Sequence, residues 1–359
     1  MVPPGIGREP AVNSTRFLAT LGLALVAGPA SAQHGRVVTD TVRAGSLANL
    51  LGDPPNAEVS IYLPPSYDRL PRARYPVVYL LHGFIASDEW GPRAMNVAGL
   101  LDSLIAERAA GEMIVVMPNG SNRFAGSFYV NSTTNGNWED FIARDLVSYI
   151  DHRYRTLAKA ESRGIAGHSM GGFGTFYLAM HHAGTTYGAM YALSACCARA
   201  SATLDPSRVG AQWDTVATLT SFAALDRSSF LVRAMAALSA AYSPDPNRPP
   251  FFFDLEQVRR DGQWQTDPVV QKKWDAHSTL LMVPAYRDAL RRMRGIGFDI
   301  GAQDQAVAPA EAMAMDSALS RAGIPHTFET YQGNHLDKIR ERLGIRVFPF
   351  FTKMLVFTP

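Results

Sequence analysis

Short apolar segments alternate along the chain with segments of helical periodicity. The segments Tyr75–Leu81 and Met113–Met117 are almost continuously apolar, which is typical of parallel strands covered on both faces. The segment Ala57–Leu63 alternates apolar and polar residues and predicts a strand with one exposed face. Further strands are predicted at Gln33–Ala44, in a segment ending at Ala166, and at Ala189–Leu193, Ile296–Ile300 and Thr327–Thr330.

Helical segments separate these strands, so the pattern predicts an α/β fold with a mostly parallel, doubly wound sheet. The segment Ser121–Asn137 is rich in Asn, Ser, Thr and Gly and predicts an irregular loop. The predicted helices are Ala98–Ala110, Trp138–Tyr154, a segment following Ser169, Pro284–Met293, Pro309–Ala322 and Leu336–Leu343.

The regular alternation stops between Cys197 and Trp274, where no clear strand pattern is present. This stretch contains helix-like residues from Phe222 to Ala241, a proline-rich corner from Ser243 to Pro250, and three consecutive phenylalanines from Phe251. So many aromatic residues indicate that this stretch is partly buried and covers a pocket. We therefore predict that residues of about 197–274 form an insertion that acts as a cap or lid.

The composition supports one large domain and gives no sign of a nucleic-acid or metal partner. The 359 residues are 47% hydrophobic and 18% charged, which provides ample material for a core. The net charge is +2 and no basic block stands out, so no nucleic-acid partner is expected. No Cys/His spacing suggests zinc, and we expect neither a metal nor another cofactor.

The first 32 residues have the features of a secretory signal peptide. Arg8 and Arg16 precede an apolar run from Phe17 to Gly28, and Ala30-Ser31-Ala32 then provides a small-residue cleavage site. The apolar run is too short for a comfortable membrane span. We therefore predict cleavage after Ala32, a secreted or periplasmic location, and a single folded domain over residues 33–359.

The motif Gly167-His168-Ser169-Met170-Gly171 fits the Gly-x-Ser-x-Gly pattern of a nucleophilic serine on a tight turn between strand and helix. An apolar approach precedes it and a helical pattern follows it, which is the context that the motif requires. Its alternative interpretation is a glycine-rich turn with an uninvolved serine. The context favours Ser169 as a nucleophile.

A serine nucleophile needs a histidine base and an acid that holds this base. His335 is the best candidate base because it follows the last predicted strand in a glycine-containing loop. The other histidines are less suitably placed: His326 precedes that strand, His277 follows no strand, His181 and His182 lie far along the helix after Ser169, His168 is held within the turn, and His82 follows an early strand.

Three aspartates are candidates for the acid. Asp304 lies just beyond the strand Ile296–Ile300, where catalytic residues of parallel sheets gather, and is favoured. Asp299 lies inside that strand and suits a structural or supporting role. Asp337 is a weaker candidate because it comes only two residues after His335.

The turn His82-Gly83-Phe84-Ile85 follows a central predicted strand and suits an oxyanion hole. The backbone amide of Phe84 or Ile85 would donate to the oxyanion beside the amide of Met170.

Several motifs together resemble the esterase-D-like family of α/β-hydrolases, over roughly residues 36 to 355. This family includes S-formylglutathione hydrolases, feruloyl and acetylxylan esterases, enterochelin esterases and mycolyltransferases. The matching motifs are Tyr62-Leu63-Pro64-Pro65-Ser66-Tyr67, Tyr75 to Phe84, Gly126-Ser127-Phe128-Tyr129-Val130-Asn131-Ser132, Gly167 to Gly172, Gly301-Ala302-Gln303-Asp304 and Gly333-Asn334-His335.

The resemblance implies an α/β-hydrolase fold and a catalytic triad of Ser169, Asp304 and His335, with oxyanion amides at Phe84 and Met170. The residues expected to line the substrate pocket are His82, Trp90, Phe128, Tyr129 and His168.

The favoured function is a secreted serine esterase that acts on a small-molecule or polysaccharide-linked ester. An acyltransferase with the same triad, as in the mycolyltransferases, is the first alternative, because a dry, capped site favours an alcohol acceptor over water. A non-catalytic binding protein on this scaffold is the second.

Overall fold

The central element of the fold is an eight-stranded sheet with the strand order β1-β2-β4-β3-β7-β8-β11-β12. Strand β2 runs antiparallel to β1 and to β4, and the other neighbouring pairs are parallel. The strands are β1 Arg36–Arg43, β2 Asn56–Leu63, β3 Val77–Leu81, β4 Ile114–Pro118, β5 Asn131–Ser132, β6 Gly136–Asn137, β7 Arg163–His168, β8 Ala189–Leu193, β9 Gln257–Arg260, β10 Gln263–Thr266, β11 Gly295–Gly301 and β12 Thr327–Tyr331.

The structure is a computed structural model. It describes residues 1, 2, 4, 5, 7, 34–199 and 206–358. The chain from His34 onward forms one compact unit. The apolar run and the cleavage site of the predicted signal peptide lie outside the described residues. Within the described ranges, no helix has both the length and the apolar character needed to cross a membrane.

Helices cover both faces of the sheet and bury it in two apolar layers. Every residue of β3, β4, β7 and β8 is buried, which explains the continuous apolar sequences of β3, β4 and β8. The helices are Val97–Ala106, Trp138–Asp140, Leu146–Arg153, Met170–His182, Pro206–Thr218, Phe222–Asp226, Phe230–Tyr242, Pro268–Asp275, Thr279–Met282, Arg287–Arg291, Pro309–Arg321, Ile339–Arg342 and Phe348–Met354.

The predicted α/β-hydrolase architecture with a mostly parallel sheet is confirmed, and several local predictions need correction. The predicted helix Pro284–Met293 is shorter than expected and spans only Arg287–Arg291, and a separate short helix, Thr279–Met282, precedes Pro284. Proline has no N–H for helical bonding, which agrees with a break at this position. The predicted last helix begins only at Ile339 and continues through a π-helical turn, Leu343–Val347, as far as Met354.

Two short hairpins were not predicted. Strands β5 and β6 pair within the predicted loop Ser121–Asn137. Strands β9 and β10 pair within the insertion and are joined by Asp261-Gly262, both with positive φ, of 52° and 75°. An Asp-Gly pair with this backbone is a strong signal for a two-residue hairpin turn, so this hairpin has a local sequence signal.

Candidate active site

Ser169 occupies the sharp turn between β7 and the helix Met170–His182. Its backbone has φ 58° and ψ −115°, a conformation that non-glycine residues rarely adopt. The flanking glycines are required by close packing, because a Cβ at Gly167 would strike the backbone of Gly171 and one at Gly171 would strike the carbonyl of Leu81. The turn therefore fixes Ser169 at the carboxyl end of the strand.

Three predicted side chains meet at this carboxyl edge, following β7, β11 and β12. Ser169 Oγ lies 3.0 Å from His335 Nε2. His335 Nδ1 lies 2.7 Å from Asp304 Oδ2, so the imidazole connects the hydroxyl to the carboxylate. The Asp304 side chain is fully buried, whereas that of His335 is 16% exposed. A substrate can therefore approach the hydroxyl and the imidazole but cannot reach the acid.

Asp304 is held by its own loop as well as by His335. Its Oδ1 accepts hydrogen bonds from the backbone amides of Ala306, at 3.0 Å, and Val307, at 2.9 Å. Burial acts to raise the pKa of Asp304, but the hydrogen bonds from His335 and Val307 outweigh it and lower the pKa below its ordinary value. The carboxylate is therefore ionised and suited to stabilise a protonated His335.

The other two candidate aspartates serve the surrounding structure. Asp299, within β11, accepts hydrogen bonds from Tyr191 Oη at 3.0 Å and Arg342 Nε at 2.9 Å. Burial raises the pKa of Asp299 to about 6, against the opposing effect of Arg342. Asp337 accepts from the backbone amide of Asn334 at 3.0 Å and shapes the loop that presents His335.

Each of the remaining candidate bases is engaged away from Ser169. His181 and His182 both bond one carboxylate oxygen of Glu139, each at 2.9 Å. His326 bonds Asp316 at 2.9 Å, and His277 stacks on Tyr242 with ring centroids 4.6 Å apart.

His168 has a role that its place in the motif did not suggest. Its Nε2 donates to the backbone carbonyl of His335 at 2.9 Å, and its ring stacks on Trp90 at 6.3 Å. Burial lowers the pKa of His168 to about 3, so the ring is neutral. His168 thus ties the nucleophile turn directly to the backbone of the His335 loop.

The loop after β3 is close to both Ser169 and Met170. The Ile85 amide donates to the carbonyl of Ala125 at 3.0 Å, which leaves the Phe84 amide as the candidate donor of this loop for an oxyanion. A Cβ at Gly126 would strike the Phe84 ring and Met170 Sδ, so Gly126 allows this close packing. The side chains of Phe84 and Met170 are therefore neighbours, and an oxyanion hole built from their backbone amides stays a prediction.

The buried His82 side chain holds this loop in place through hydrogen bonds to two backbone groups. Its Nε2 accepts from the Gly120 amide at 2.8 Å, and its Nδ1 donates to the Gly83 carbonyl at 2.8 Å. Burial lowers the pKa of His82 to about 4, which agrees with a neutral ring that accepts at Nε2. Tyr129 Oη donates to the His82 carbonyl at 3.0 Å.

We expect His82→Leu to destabilise the protein more than Tyr129→Phe. The first change deprives two buried backbone groups of their partner, at a cost of about 1–3 kcal/mol each, whereas the second removes one hydrogen bond worth about 1 kcal/mol. Urea denaturation followed by tryptophan fluorescence measures both. Equal midpoints for the two variants would contradict this role for His82.

The predicted pocket residues fall into two groups. Trp90 is partly exposed, whereas His82, Phe128, Tyr129 and His168 are almost completely buried. Phe84 stacks on Phe128, with centroids 6.0 Å apart. The four buried residues therefore support the exposed side chains from within, and their direct contact with a substrate stays a prediction.

Sequence reasoning did not single out Phe230. This residue begins the helix Phe230–Tyr242 of the insertion, is 58% exposed, and packs edge-on against Phe84 at 5.5 Å. The insertion therefore reaches the loop beside Ser169. No local motif marks Phe230, because its position depends on how two distant segments pack.

Comparison with solved structures supports the same fold. A ferulic acid esterase superimposes with a TM-score of 0.59 at 22% identity, covering 90% of this chain and 99% of that chain. An S-formylglutathione hydrolase from Staphylococcus aureus gives a TM-score of 0.55 at 15% identity, covering 89% and 99%. At these identities the likeness establishes the α/β-hydrolase fold.

Curated relatives match over shorter regions. An esterase of Mycobacterium tuberculosis strain H37Rv is 34% identical over 137 residues, which are 37% of this chain and 27% of that protein. An endo-1,4-beta-xylanase/feruloyl esterase of Xylanibacter ruminicola is 31% identical over 119 residues, covering 32% of this chain and 16% of that protein. The chain thus spans about a quarter or less of the length of these two curated relatives.

The model of the protein family described as "Putative esterase" matches residues 54–339. This range contains Ser169, Asp304 and His335 and covers well over half of the 359 residues. The resemblance to an esterase family is confirmed. The chain belongs to the "Putative esterase" family, on an α/β-hydrolase fold.

Proposed function

We propose that this protein is a serine hydrolase that cleaves carboxylic esters through an acyl-enzyme, with Ser169 as nucleophile, His335 as base and Asp304 as acid. The observation that carries the proposal is the continuous line of hydrogen bonds from Ser169 Oγ through both nitrogens of His335 to Asp304. Its geometry matches what a serine hydroxyl needs to become nucleophilic at neutral pH.

The reaction starts when Ser169 Oγ attacks the ester carbonyl carbon while its proton passes to His335 Nε2. Asp304 stabilises the imidazolium through Nδ1, and the amides of Phe84 and Met170 donate to the oxyanion. Collapse of the tetrahedral intermediate expels the alcohol, which takes its proton from Nε2. Water then attacks the acyl-enzyme with His335 again as base, which releases the acid and restores the Ser169 hydroxyl.

We propose an aromatic acyl group as the part of the substrate next to Ser169. The rings of Phe84 and Phe230 meet beside the nucleophile turn and are partly exposed, so they offer an apolar contact surface. The solved neighbours named ferulic acid esterases and the relative named xylanase/feruloyl esterase make aryl esters of plant polysaccharides the first substrates to test. Secretion, predicted from residues 1–32, suits a polymeric substrate outside the cell.

The test is hydrolysis of nitrophenyl esters of graded acyl length and of methyl ferulate by the purified protein. We expect turnover of several of these esters, a preference for the aryl ester, and fluorophosphonate labelling that peptide mass spectrometry assigns to Ser169. If every ester is left intact and Ser169 is unlabelled, the protein is not a serine hydrolase and the binding-protein alternative takes its place.

Hydrolysis and acyl transfer use the same triad and differ only in the acceptor. We favour water, because the similar solved structures are named esterases and hydrolases. Product analysis with added sugar alcohols distinguishes the two. Free acid as the main product supports hydrolysis, whereas new sugar esters as the main product would establish the acyltransferase alternative.

A further inference from the structure

The buried ring of His168 adjoins three separate parts of the candidate active site. His168 is the last residue of β7 and directly precedes Ser169. Its Nε2 donates to the backbone carbonyl of His335 at 2.9 Å. Its Nδ1 lies 3.5 Å from the point that a Cβ on Gly83 would occupy, so the ring also packs against the loop after β3. One side chain therefore joins the nucleophile turn, the loop of the proposed base and the proposed oxyanion loop.

The bond from His168 to the backbone of His335 crosses the sheet. His335 follows β12, and two further strands, β8 and β11, lie between β12 and β7. Other bonds hold the neighbouring residues of the same loop, since the Gly333 amide donates to Gln303 Oε1 at 2.6 Å. Those bonds tie the loop to the end of β11. The bond from His168 instead sets the position of residue 335 relative to Ser169.

The His168 ring is a fixed hydrogen-bond donor. A carbonyl oxygen only accepts, so Nε2 carries the proton of the neutral ring. Burial is the main cause that lowers the pKa of His168 to about 3, and the nearby His335 acts in the same direction against the weaker opposing effect of Asp304. The rings of His168 and His335 have centroids 4.7 Å apart. A cationic ring at this distance would repel an imidazolium on His335, whereas the neutral ring does not.

The proposed base needs a precise position because both of its ring nitrogens are engaged. His335 Nε2 lies 3.0 Å from Ser169 Oγ, and Nδ1 lies 2.7 Å from Asp304 Oδ2. A misplacement of about 1 Å in such an arrangement can cost about a hundredfold in rate. We propose that His168 is a positioning residue, whose Nε2–H holds the backbone of His335 where the imidazole bonds both Ser169 and Asp304. The proposal rests on the proposed function, and His168 acts through His335 rather than on the substrate.

Two substitutions separate the donor of His168 from the bulk of its ring. Leucine has no donor, whereas glutamine carries an N–H as many bonds from Cβ as Nε2 but loses the stacking on Trp90. We expect kcat for methyl ferulate to fall about tenfold or more in His168→Leu and less than about threefold in His168→Gln. KM should stay within about twofold of the parent value in both, because His168 touches no substrate. Equal losses of kcat in the two variants overturn the role of the donor.

His326→Leu is the matched control. The His326 side chain is also buried, with 8% exposure, and its Nδ1 donates to a backbone carbonyl, that of Ile324, at 2.7 Å. It precedes β12, whereas His335 follows that strand. This variant should lower the melting temperature and leave kcat within about twofold of the parent value. A loss of kcat equal to that of His168→Leu would show that lost packing alone slows the reaction, which overturns the proposal.

Proton NMR tests the position of His335 without any substrate. The proton between His335 Nδ1 and Asp304 lies in a short hydrogen bond to a carboxylate and should give a far-downfield signal. The signal is assigned by its absence in His335→Gln. We expect it in the full-length parent and in His168→Gln, and we expect it shifted upfield or lost in His168→Leu. An unchanged signal in His168→Leu overturns the proposal.

The two readouts separate this proposal from the proposed function. A protein that cleaves no ester but loses the downfield signal in His168→Leu would refute the esterase and keep the positioning of His335 by His168. A protein that cleaves esters, and that keeps both the signal and the full kcat in His168→Leu, would refute the positioning role and keep the esterase.

Discussion

Replacing Ser169 by alanine should lower kcat for nitrophenyl ester hydrolysis by roughly 10⁴-fold or more, because it removes the hydroxyl that is proposed to form the acyl-enzyme. The initial burst of nitrophenol also disappears. Stopped-flow absorbance with matched protein concentrations measures both effects. The hydroxyl of Ser169 faces His335 rather than the core, so the variant should fold normally.

The matched control for Ser169→Ala is Ser103→Ala, which removes an exposed hydroxyl that bonds only the Gly99 carbonyl within a remote helix. This variant should keep the full rate. If Ser169→Ala retains more than a tenth of the parent activity, another residue is the nucleophile and the proposed triad is wrong.

Replacing Asp304 by asparagine should lower kcat by about 10³–10⁴-fold while the protein stays folded. The asparagine cannot stabilise the imidazolium, and its amide nitrogen can force the other tautomer of His335, which turns Nε2 into a donor toward Ser169. Steady-state kinetics with methyl ferulate, together with a melting curve, test this expectation.

Asp299→Asn provides the matched control, since Asp299 lies in β11 and Asp304 only three residues after the end of that strand. Asp299 bonds Arg342 and Tyr191 in the interior, so its replacement should lower the free energy of unfolding by about 1–3 kcal/mol. Its kcat should stay within about threefold of the parent value. A loss of kcat in Asp299→Asn equal to that in Asp304→Asn would remove the basis for choosing between the two acids.

The central sheet and the three residues at its edge could be predicted because their signals are local. Buried parallel strands have continuous apolar runs that place the sheet, and Asp304 and His335 each lie a few residues beyond the end of a predicted strand. The choice of Asp304 over Asp299 depended only on where β11 ends. The apolar pattern also indicates where a strand ends, so the position of Asp304 beyond β11 could be predicted from the sequence.

Other features depend on contacts between distant segments and have no local signal. The hydrogen bond from His168 to the carbonyl of His335 joins residues 167 positions apart. The packing of Phe230 on Phe84 likewise requires the folded insertion. The π-helical turn Leu343–Val347 also lacks a marked sequence pattern. The β9–β10 hairpin is different, because its Asp-Gly turn is a local signal from which the hairpin could have been predicted.

The segment between β8 and β11 can change in length and sequence without disturbing the central sheet. These two strands are direct neighbours in the sheet, so the chain that joins them starts and ends at positions fixed by backbone pairing. Lengthening such a connection costs little, about 0.6 kcal/mol for each doubling of a flexible loop. Substrate preference can therefore change through insertions and exchanges in this segment, during evolution or in the laboratory, while the sheet edge carrying Ser169, Asp304 and His335 is inherited intact.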